Sequence, residues 1–222
     1  MEQQVKMKEL TDEIIWSRCL AGDTRAFEEL YKRYYALLYN YGCKLSGDKE
    51  LVADCIQNLF IKLIRNYTRL SASVHVKSYL LKAFRYKLYD TIRDEGVRTR
   101  LFVPCIEEIL LFEQEPAYVP EENKKEEYAL VYRAFRNLSA RQKEILYLYY
   151  IAGLTHEEIA EILNLRYQSS KNLLARSLVK LRENYFRIAG AGERRLPVGN
   201  EPPESPEISP VFLLFLIAVC PF

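Results

Sequence analysis

Five basic side chains occur between residues 166 and 182 with no acidic residue among them. They are Arg166, Lys171, Arg176, Lys180 and Arg182. Amide and hydroxyl side chains accompany the first of these bases, at positions 168, 169 and 172. Arginine, glutamine and asparagine form paired hydrogen bonds with base edges, and lysine and arginine neutralise phosphates. The residue types in this stretch are therefore typical of a surface that contacts nucleic acid.

Two helical patterns, separated by a very short break, must position these side chains. Thr155 can cap the first helix, and Glu158, three residues later, completes a capping box. Asn164 lies at the break, where asparagine tolerates the left-handed conformation of a tight turn. The second helix begins at about Tyr167, and its predicted buried stripe consists of Leu173, Leu174, Leu178 and Leu181. This arrangement predicts a helix-turn-helix, whose second helix lies in the DNA major groove.

The N-terminal part of such a second helix points at the base edges. We therefore expect six residues to face the bases: Arg166, Tyr167, Gln168, Ser169, Lys171 and Asn172. Arg176 and Lys180 lie further along and are better placed for phosphates. A helical hairpin with a solvated basic face is the alternative. A metalloprotease-type zinc site at His156 is not expected, because no second histidine follows at the required spacing.

The rest of the chain also shows helical periodicity, so the predicted fold class is all-α. Apolar residues at three- and four-residue intervals predict helices at 27–45, 49–66 and 76–95, with breaks short enough for one bundle. In a second bundle, Ser139 and Gln142 form a capping-box pattern for a helix at 140–152, which Gly153 should end. We expect two small helical domains joined by a flexible acidic linker. Their predicted bounds are 20–96 and 126–188, with the linker at 97–125 and a tail at 189–222.

The linker and the tail differ in composition from the two bundles. Residues 107–127 carry eight glutamates against two lysines, which indicates an acidic tether with at most one short helix at 105–113. The tail is rich in Gly, Pro and Glu, and it ends in ten apolar residues at 211–220. That run is too short to span a bilayer, which needs about 20 residues. A membrane anchor is therefore not expected.

Overall composition narrows the function classes further. The formal net charge is +2, with five cysteines and two histidines. No two cysteines form a CxxC pair, so neither a metal site nor a disulfide framework is expected. Scattered single cysteines are typical of the reducing cytosol, and the polar N-terminus lacks the apolar core of a secretory signal. We predict a cytoplasmic protein that needs no cofactor.

Bases and aromatic residues alternate between residues 77 and 100. Lys82, Arg85 and Lys87 interleave with Tyr79, Phe84, Tyr86 and Tyr89. Such a mixture suits single-stranded DNA, because rings stack on unpaired bases while cations follow the backbone. The alternative for the aromatic residues is core packing, and we expect at least Phe84 to be core.

From about residue 20 to 186 the chain resembles bacterial sigma factors of the extracytoplasmic function (ECF) group of the sigma-70 family. The stretch ADCIQNLFIKLI resembles the segment that binds the clamp helices of the RNA polymerase β′ subunit, which implies core binding by Asp54, Gln57, Asn58 and Lys62. Phe60 also matches that motif, although its spacing places it in the core. SYLLKAFRYKLYDTIRDE resembles the segment for −10 recognition, which implies roles for Lys82, Arg85, Tyr86, Lys87, Asp90 and Arg93.

The helix-turn-helix resembles the family's domain 4. This implies that the −35 element is contacted by Arg166, Tyr167, Gln168, Ser169, Lys171, Asn172 and Arg176. Three positions depart from the usual pattern: Tyr86 replaces a frequent Asn, Arg166 a small cap, and Ser170 an apolar residue. The resemblance implies a non-enzymatic sigma factor that binds core polymerase and promoter DNA, with an anti-sigma factor as a regulatory partner. The alternatives are a DNA-binding regulator that acts without polymerase, and a helical interaction protein docked by its apolar end at 211–222.

Overall fold

The computed structural model describes residues 10–72, 75–94 and 130–190. Every regular element in these ranges is a helix, which confirms the predicted all-α fold class. The chain divides into two compact units. The predicted linker at 97–125, the short helix considered at 105–113 and the apolar run at 211–220 lie outside the described residues. No helix in the described ranges has the combined length and apolar character that crossing a bilayer requires.

The described residues of the first unit form four α-helices. They are α1 (Asp12–Leu20), α2 (Thr24–Ser46), α3 (Lys49–Arg65) and α4 (Val76–Asp94), with a 3-10 turn at Tyr67–Arg69 before α4. Aspartate side chains cap two of them: Asp23 accepts a hydrogen bond from the Arg25 amide, and Asp48 accepts from the amides of Glu50 and Leu51. These bounds confirm the three helices predicted in this half of the chain.

The core of the first unit follows the predicted apolar stripes. Its buried side chains include Phe27, Leu30, Leu38, Leu45, Val52, Ile56, Leu59, Phe60, Leu63, Leu80, Phe84, Leu88 and Ile92. Three helices meet at Gly42 of α2, where an added Cβ would lie 2.6 Å from Phe84 Cζ and 2.7 Å from Val52 Cγ1. The absent side chain therefore lets α3 and α4 pack closely on α2.

Helix α1 was not predicted, because its nine residues follow a polar stretch and carry only a weak apolar pattern. Ile15, Trp16 and Cys19 are nonetheless buried against the bundle. The Trp16 indole N–H donates to the backbone carbonyl of Ser71 at 2.9 Å, so α1 is tied to the connection between α3 and α4. Its first residue, Asp12, accepts hydrogen bonds from the side chains of Arg33 and Tyr34 on α2. The folded unit thus extends upstream of residue 20.

The described part of the second unit starts with helical residues 130–136, named α5. It continues with α6 (Ala140–Leu146), a π-helical turn at Tyr147–Ile151, α7 (His156–Leu163) and α8 (Tyr167–Ile188). Both predicted capping boxes form: Ser139 with Gln142, and Thr155 with Glu158. Asn164 has the predicted left-handed conformation between α7 and α8, with φ of 53°. The helix predicted at 140–152 is confirmed in extent, but its last turn is π-helical, because the Ala152 amide donates to the Tyr147 carbonyl five residues earlier.

The buried stripe of α8 differs from the predicted leucine stripe. It consists of Ser170, Leu174, Ser177, Leu181 and Asn184, which follow one another at intervals of four and three residues. Leu173 and Leu178 lie at its margins and are only half-buried, so the prediction was wrong for these two. Each buried polar group has a partner: Ser177 donates to the Leu173 carbonyl at 2.7 Å, and Asn184 donates to the Ala134 carbonyl at 3.1 Å. Ser170 pairs with His156.

Candidate nucleic-acid and protein interfaces

The predicted base-contacting residues all lie at the surface around the start of α8. Arg166, Tyr167, Gln168, Asn172 and Arg176 are exposed. Ser169 and Lys171 are half-buried. Arg166 is the residue before the helix and makes no side-chain capping bond. The surface formed by these seven residues is called the α8 face below.

Local contacts arrange the side chains of the α8 face. Gln168 Nε2 donates to Asn172 Oδ1 at 3.2 Å, so two amides with adenine-pairing capacity lie together one turn apart. The Lys171 ammonium is 5.7 Å from the centroid of the Tyr167 ring, within the range of a cation–π contact. Further along, Lys180 forms an ion pair at 3.1 Å with Glu183, which follows the acid-free stretch. Lys180 therefore contributes less free positive charge than its sequence position indicated.

His156 lies beside this face, at the start of α7. Its ring stacks on Tyr149 with centroids 5.1 Å apart, and its Nδ1 is 3.2 Å from Ser170 Oγ. Burial, reinforced by the nearby Lys171 charge, lowers the pKa of His156, while Glu157 opposes that shift. These surroundings therefore favour the neutral imidazole. Sequence analysis considered this histidine only as a metal ligand, and no group of three or more His, Cys, Asp or Glu side chains in the described ranges could hold a metal ion.

The predicted −10 residues follow the outer side of α4. Tyr86, Lys87, Asp90 and Arg93 are exposed, and Lys82 and Arg85 are half-buried. An α-helix has about 3.6 residues per turn, so one line along α4 contains Lys82, Tyr86 and Arg93. Lys87 lies on a different side of the helix. The arrangement brings five of the six residues to one surface, called the α4 face below. Phe84 is fully buried, which confirms its predicted core position.

Charge on the α4 face is partly compensated. Arg93 Nη2 donates to Asp90 Oδ1 at 2.9 Å, so the two residues that match the family pattern contact each other. The Arg85 guanidinium lies 4.6 Å from the centroid of the Tyr89 ring. Such a pair presents a flat cation on an aromatic ring, a surface on which an unpaired base can stack.

The predicted polymerase-binding residues form one exposed ridge on α3. Asp54, Gln57, Asn58 and Lys62 all point away from the core. Phe60 is buried, and its ring meets the edge of Tyr31 at a centroid distance of 5.0 Å. Phe60 therefore supports the ridge from inside and does not belong to its surface.

Two apolar residues of this surface were not among the predicted polymerase-binding residues. Ile61 and Ile64 are 45% and 43% exposed, on the same side of α3 as the polar ridge. The signal was present in the sequence, because LFIKLI has five apolar residues out of six, more than one buried stripe of a helix can hold. The four polar residues together with Ile61 and Ile64 are called the α3 face below.

Comparison with known proteins identifies both units. The family model for Sigma-70 region 2 matches residues 30–98, and the model for Sigma-70, region 4 matches residues 128–181. The first range contains the α3 and α4 faces, and the second contains the helix-turn-helix. Together the two models cover more than half of the 222 residues, in the order that the sequence resemblance implied.

Two solved structures of protein complexes contain a chain with a similar fold. The structure of CnrH in complex with the cytosolic domain of CnrY has a TM-score of 0.53 and 18% identity, covering 82% of this chain and 99% of that chain. The sigma factor RpoE in complex with the anti-sigma factor NepR from Bartonella quintana has a TM-score of 0.50 and 17% identity, covering 77% of this chain and all of that one. At these identities the likeness concerns the fold alone.

Relatives with similar sequences are also sigma factors. The ECF RNA polymerase sigma factor SigX of Bacillus subtilis is 25% identical over 165 residues, which make up 71% of this chain and 82% of SigX. SigM of the same species is 27% identical over 165 residues, or 72% of this chain and 95% of SigM. With regions 2 and 4 in their family order and relatives of this group along most of its length, the chain belongs to the sigma-70 family as an ECF sigma factor.

Proposed function

We propose that this sigma factor directs core RNA polymerase to promoters through its three described faces. The α3 face binds the β′ clamp helices of the polymerase, the α4 face contacts the −10 region, and the α8 face contacts the −35 element. The observation that carries this assignment is that all three sets of family-matched side chains, apart from Phe60, lie at the surface, on helices whose opposite sides form the cores.

On the α8 face, amides and bases alternate as major-groove contacts require. The first turns of α8 present Gln168, Lys171 and Asn172 side by side, without any acidic side chain before Glu183. A recognition helix contacts bases with its N-terminal residues, while residues nearer its C-terminus contact the backbone. Arg176 is accordingly assigned to a phosphate and the residues before it to base edges.

On the α4 face, aromatic and cationic groups suit the opened strand. Tyr86 exposes its ring, and the Arg85 guanidinium covers Tyr89. Unpaired bases stack on such groups irrespective of sequence, and stacking contributes about 1–3 kcal/mol per base. The Asp90–Arg93 pair lies on the same face and holds its charges at a fixed separation.

On the α3 face, polar and apolar side chains together fit a partner helix. Interfaces typically derive most of their affinity from a few central apolar or aromatic side chains surrounded by polar ones. Ile61 has that position, since Gln57, Asn58 and Lys62 lie within one helical turn of it. We assign the polymerase contact to this group.

Run-off transcription with the full chain, core polymerase and genomic promoter fragments tests the assignment. We expect promoter-specific transcripts that are lost when Asp54 and Gln57 are both replaced by Ala. Lys32→Ala is the matched control, because Lys32 is an exposed surface residue on α2 that pairs with Glu28. DNA binding without core association or transcripts would show instead a regulator that acts without polymerase, and neither activity would favour the helical interaction protein.

Three further features belong to the same proposal. The protein acts in the cytoplasm, is not an enzyme, and is held inactive by an anti-sigma factor. The similar fold of the sigma factor RpoE, solved in complex with the anti-sigma factor NepR, supports such a partner. Its domains span 20–96 and 126–188, the first preceded by α1 and the two joined through 97–125. Co-purification of the chain with core polymerase from the soluble fraction of cells checks the location.

A further inference from the structure

His156 lies where three segments of the second unit meet. It begins α7, its ring stacks on Tyr149 of the π-helical turn at an interplanar angle of 29°, and it meets the ring of Tyr167 edge-on at 6.2 Å. Its Nδ1 lies 3.2 Å from the hydroxyl oxygen of Ser170 on α8. One side chain therefore joins the support helices to the first turn of the recognition helix.

Ser170 depends on this contact. Its exposure is 0%, and it occupies the first position of the buried stripe of α8. A hydroxyl removed from water loses free energy unless it is hydrogen-bonded, and His156 supplies the side-chain partner that the structure shows.

Burial and the Lys171 charge lower the pKa of His156, against the influence of Glu157, and so favour the neutral imidazole. A neutral imidazole has one donor and one acceptor nitrogen, and a hydroxyl can act in either role. The hydrogen bond between Nδ1 and Ser170 Oγ can therefore form with either tautomer. Hydrogen bonds are directional, whereas apolar contacts allow a helix to slide or rotate by small amounts. The pair therefore restrains the rotation of α8 about its axis.

We propose that the His156–Ser170 pair is a positioning device that fixes the rotational setting of the recognition helix and hence its base specificity. Tyr167 and Lys171 lie three residues before and one residue after Ser170, so any rotation of α8 at Ser170 moves the side chains that approach the bases. The proposal rests on the proposed function of the α8 face. It adds one buried polar contact as a determinant of promoter choice.

Substitutions at the two positions have unequal and non-additive effects. His156→Phe retains stacking on Tyr149 but leaves the Ser170 hydroxyl buried without its side-chain partner. Ser170→Ala removes the hydroxyl and leaves a half-buried imidazole nitrogen that can rotate toward water. The double variant contains neither polar group, so it avoids the unpaired hydroxyl. The chain also offers a matched control, Ser177→Ala, because Ser177 is equally buried on α8 but bonds only within its own helix.

Two measurements on the full chain test the proposal. The first is amide hydrogen exchange in the first two turns of α8 without DNA. The second is the ratio of affinities for a duplex enriched by the wild-type chain from a random pool and for a scrambled duplex. We expect His156→Phe to accelerate amide exchange and to lower the affinity ratio by about tenfold. In the double variant, both quantities should return toward the values measured for Ser170→Ala. Ser177→Ala should change neither.

Several results would overturn the proposal: additive effects in the double variant, unchanged exchange in both single variants, or equal effects of Ser170→Ala and Ser177→Ala. A uniform loss of affinity for both duplexes would show a role in stability alone. Should His156→Phe fail to fold, the comparison of the two serine variants decides the question. Should the wild-type chain not distinguish the duplexes, the proposed function fails, while the exchange measurements still test the pair.

Discussion

At the scale of single residues, the neighbours of an exposed apolar side chain on the α3 face indicate whether it belongs to an interface. Scattered surface isoleucines are common and need no explanation. Ile61 differs because polar residues that match a polymerase-binding motif lie on both sides of it. Its position makes it the expected energetic centre of the contact with core polymerase.

Ile61→Glu should weaken binding to core polymerase without unfolding the first unit. Placing a carboxylate at the centre of a desolvated contact costs about 2 kcal/mol or more, which corresponds to roughly thirtyfold in affinity. Titration of labelled full-length protein with core polymerase measures the change. Ile14→Glu on α1 is the control, since Ile14 is 44% exposed but lies outside the α3 face. Equal effects of the two substitutions on affinity would show that Ile61 does not belong to the interface.

His156 also gives the second unit a predictable dependence on pH. Its pKa lies below the ordinary value of 6.5 in the folded protein, so the unfolded chain binds more protons between the two values. The free energy of unfolding therefore rises with pH in that window. The contribution of the neutral imidazole to the free energy of unfolding is complete above pH 6.5. It is lost as the pH falls through the pKa that His156 has in the folded protein.

Thermal unfolding followed by circular dichroism at pH 7.5 and 5.5 checks this expectation. The melting temperature should fall at the lower pH, and His156→Phe should reduce that fall. His75→Phe should leave it intact, because His75 belongs to the first unit and is exposed. A His156→Phe variant with the wild-type pH dependence would contradict the assigned pKa shift.

At the scale of elements, the packing of α2 against α3 and α4 depends on one missing side chain. Gly42 lies in the middle of a long helix, where alanine would ordinarily be more favourable by about 1 kcal/mol. Here an added methyl group would meet Phe84 and Val52 at distances that real Cβ atoms do not show. Close packing thus outweighs helix propensity at this position.

Gly42→Ala should therefore destabilise the first unit by about 1–3 kcal/mol, as overpacking of a dense core does. Trp16 is the single tryptophan of the chain and is buried in this unit, so denaturant unfolding followed by its fluorescence reports the change directly. Ala36→Gly, at an exposed position of the same helix, measures propensity alone. Increased stability of Gly42→Ala would show that α3 and α4 can withdraw from α2 without cost.

At the scale of the whole molecule, function depends on where charge lies and not on its total. The net charge of +2 does not predict affinity for DNA. Positive charge is instead gathered in residues 166–182, which contain no acidic residue, whereas α7 carries Glu157, Glu158 and Glu161. Binding to DNA should therefore depend on salt through a few specific phosphate contacts.

Arg176→Ala should reduce the slope of log affinity against log salt concentration by about 1, which corresponds to the loss of one phosphate contact. Lys180→Ala should change it less, because Glu183 already neutralises that ammonium group. Fluorescence anisotropy with the full chain and duplex DNA at several salt concentrations measures both slopes. If Lys180→Ala had the larger effect, the assignment of the phosphate contact would move to Lys180.

The amino-acid sequence by itself determined the helical class, the two capping boxes, the left-handed turn at Asn164 and the exposure of the family-matched residues. These features depend on local periodicity and on short-range hydrogen bonds, which neighbouring residues specify. The family assignment likewise followed from motifs in linear order. Most of the predicted core positions were confirmed for the same reason.

Only the tertiary structure decided the features that join distant residues. Packing drew the weakly patterned α1 into the first unit, because Trp16 finds its partner at Ser71. Tertiary packing also placed Ser170, Ser177 and Asn184 in the buried stripe of α8. The hydrogen-bond partners of Ser170 and Asn184 lie on other segments of the chain. A polar side chain can occupy a core only where another part of the fold supplies its hydrogen bond, and periodicity along one helix contains no information about that partner.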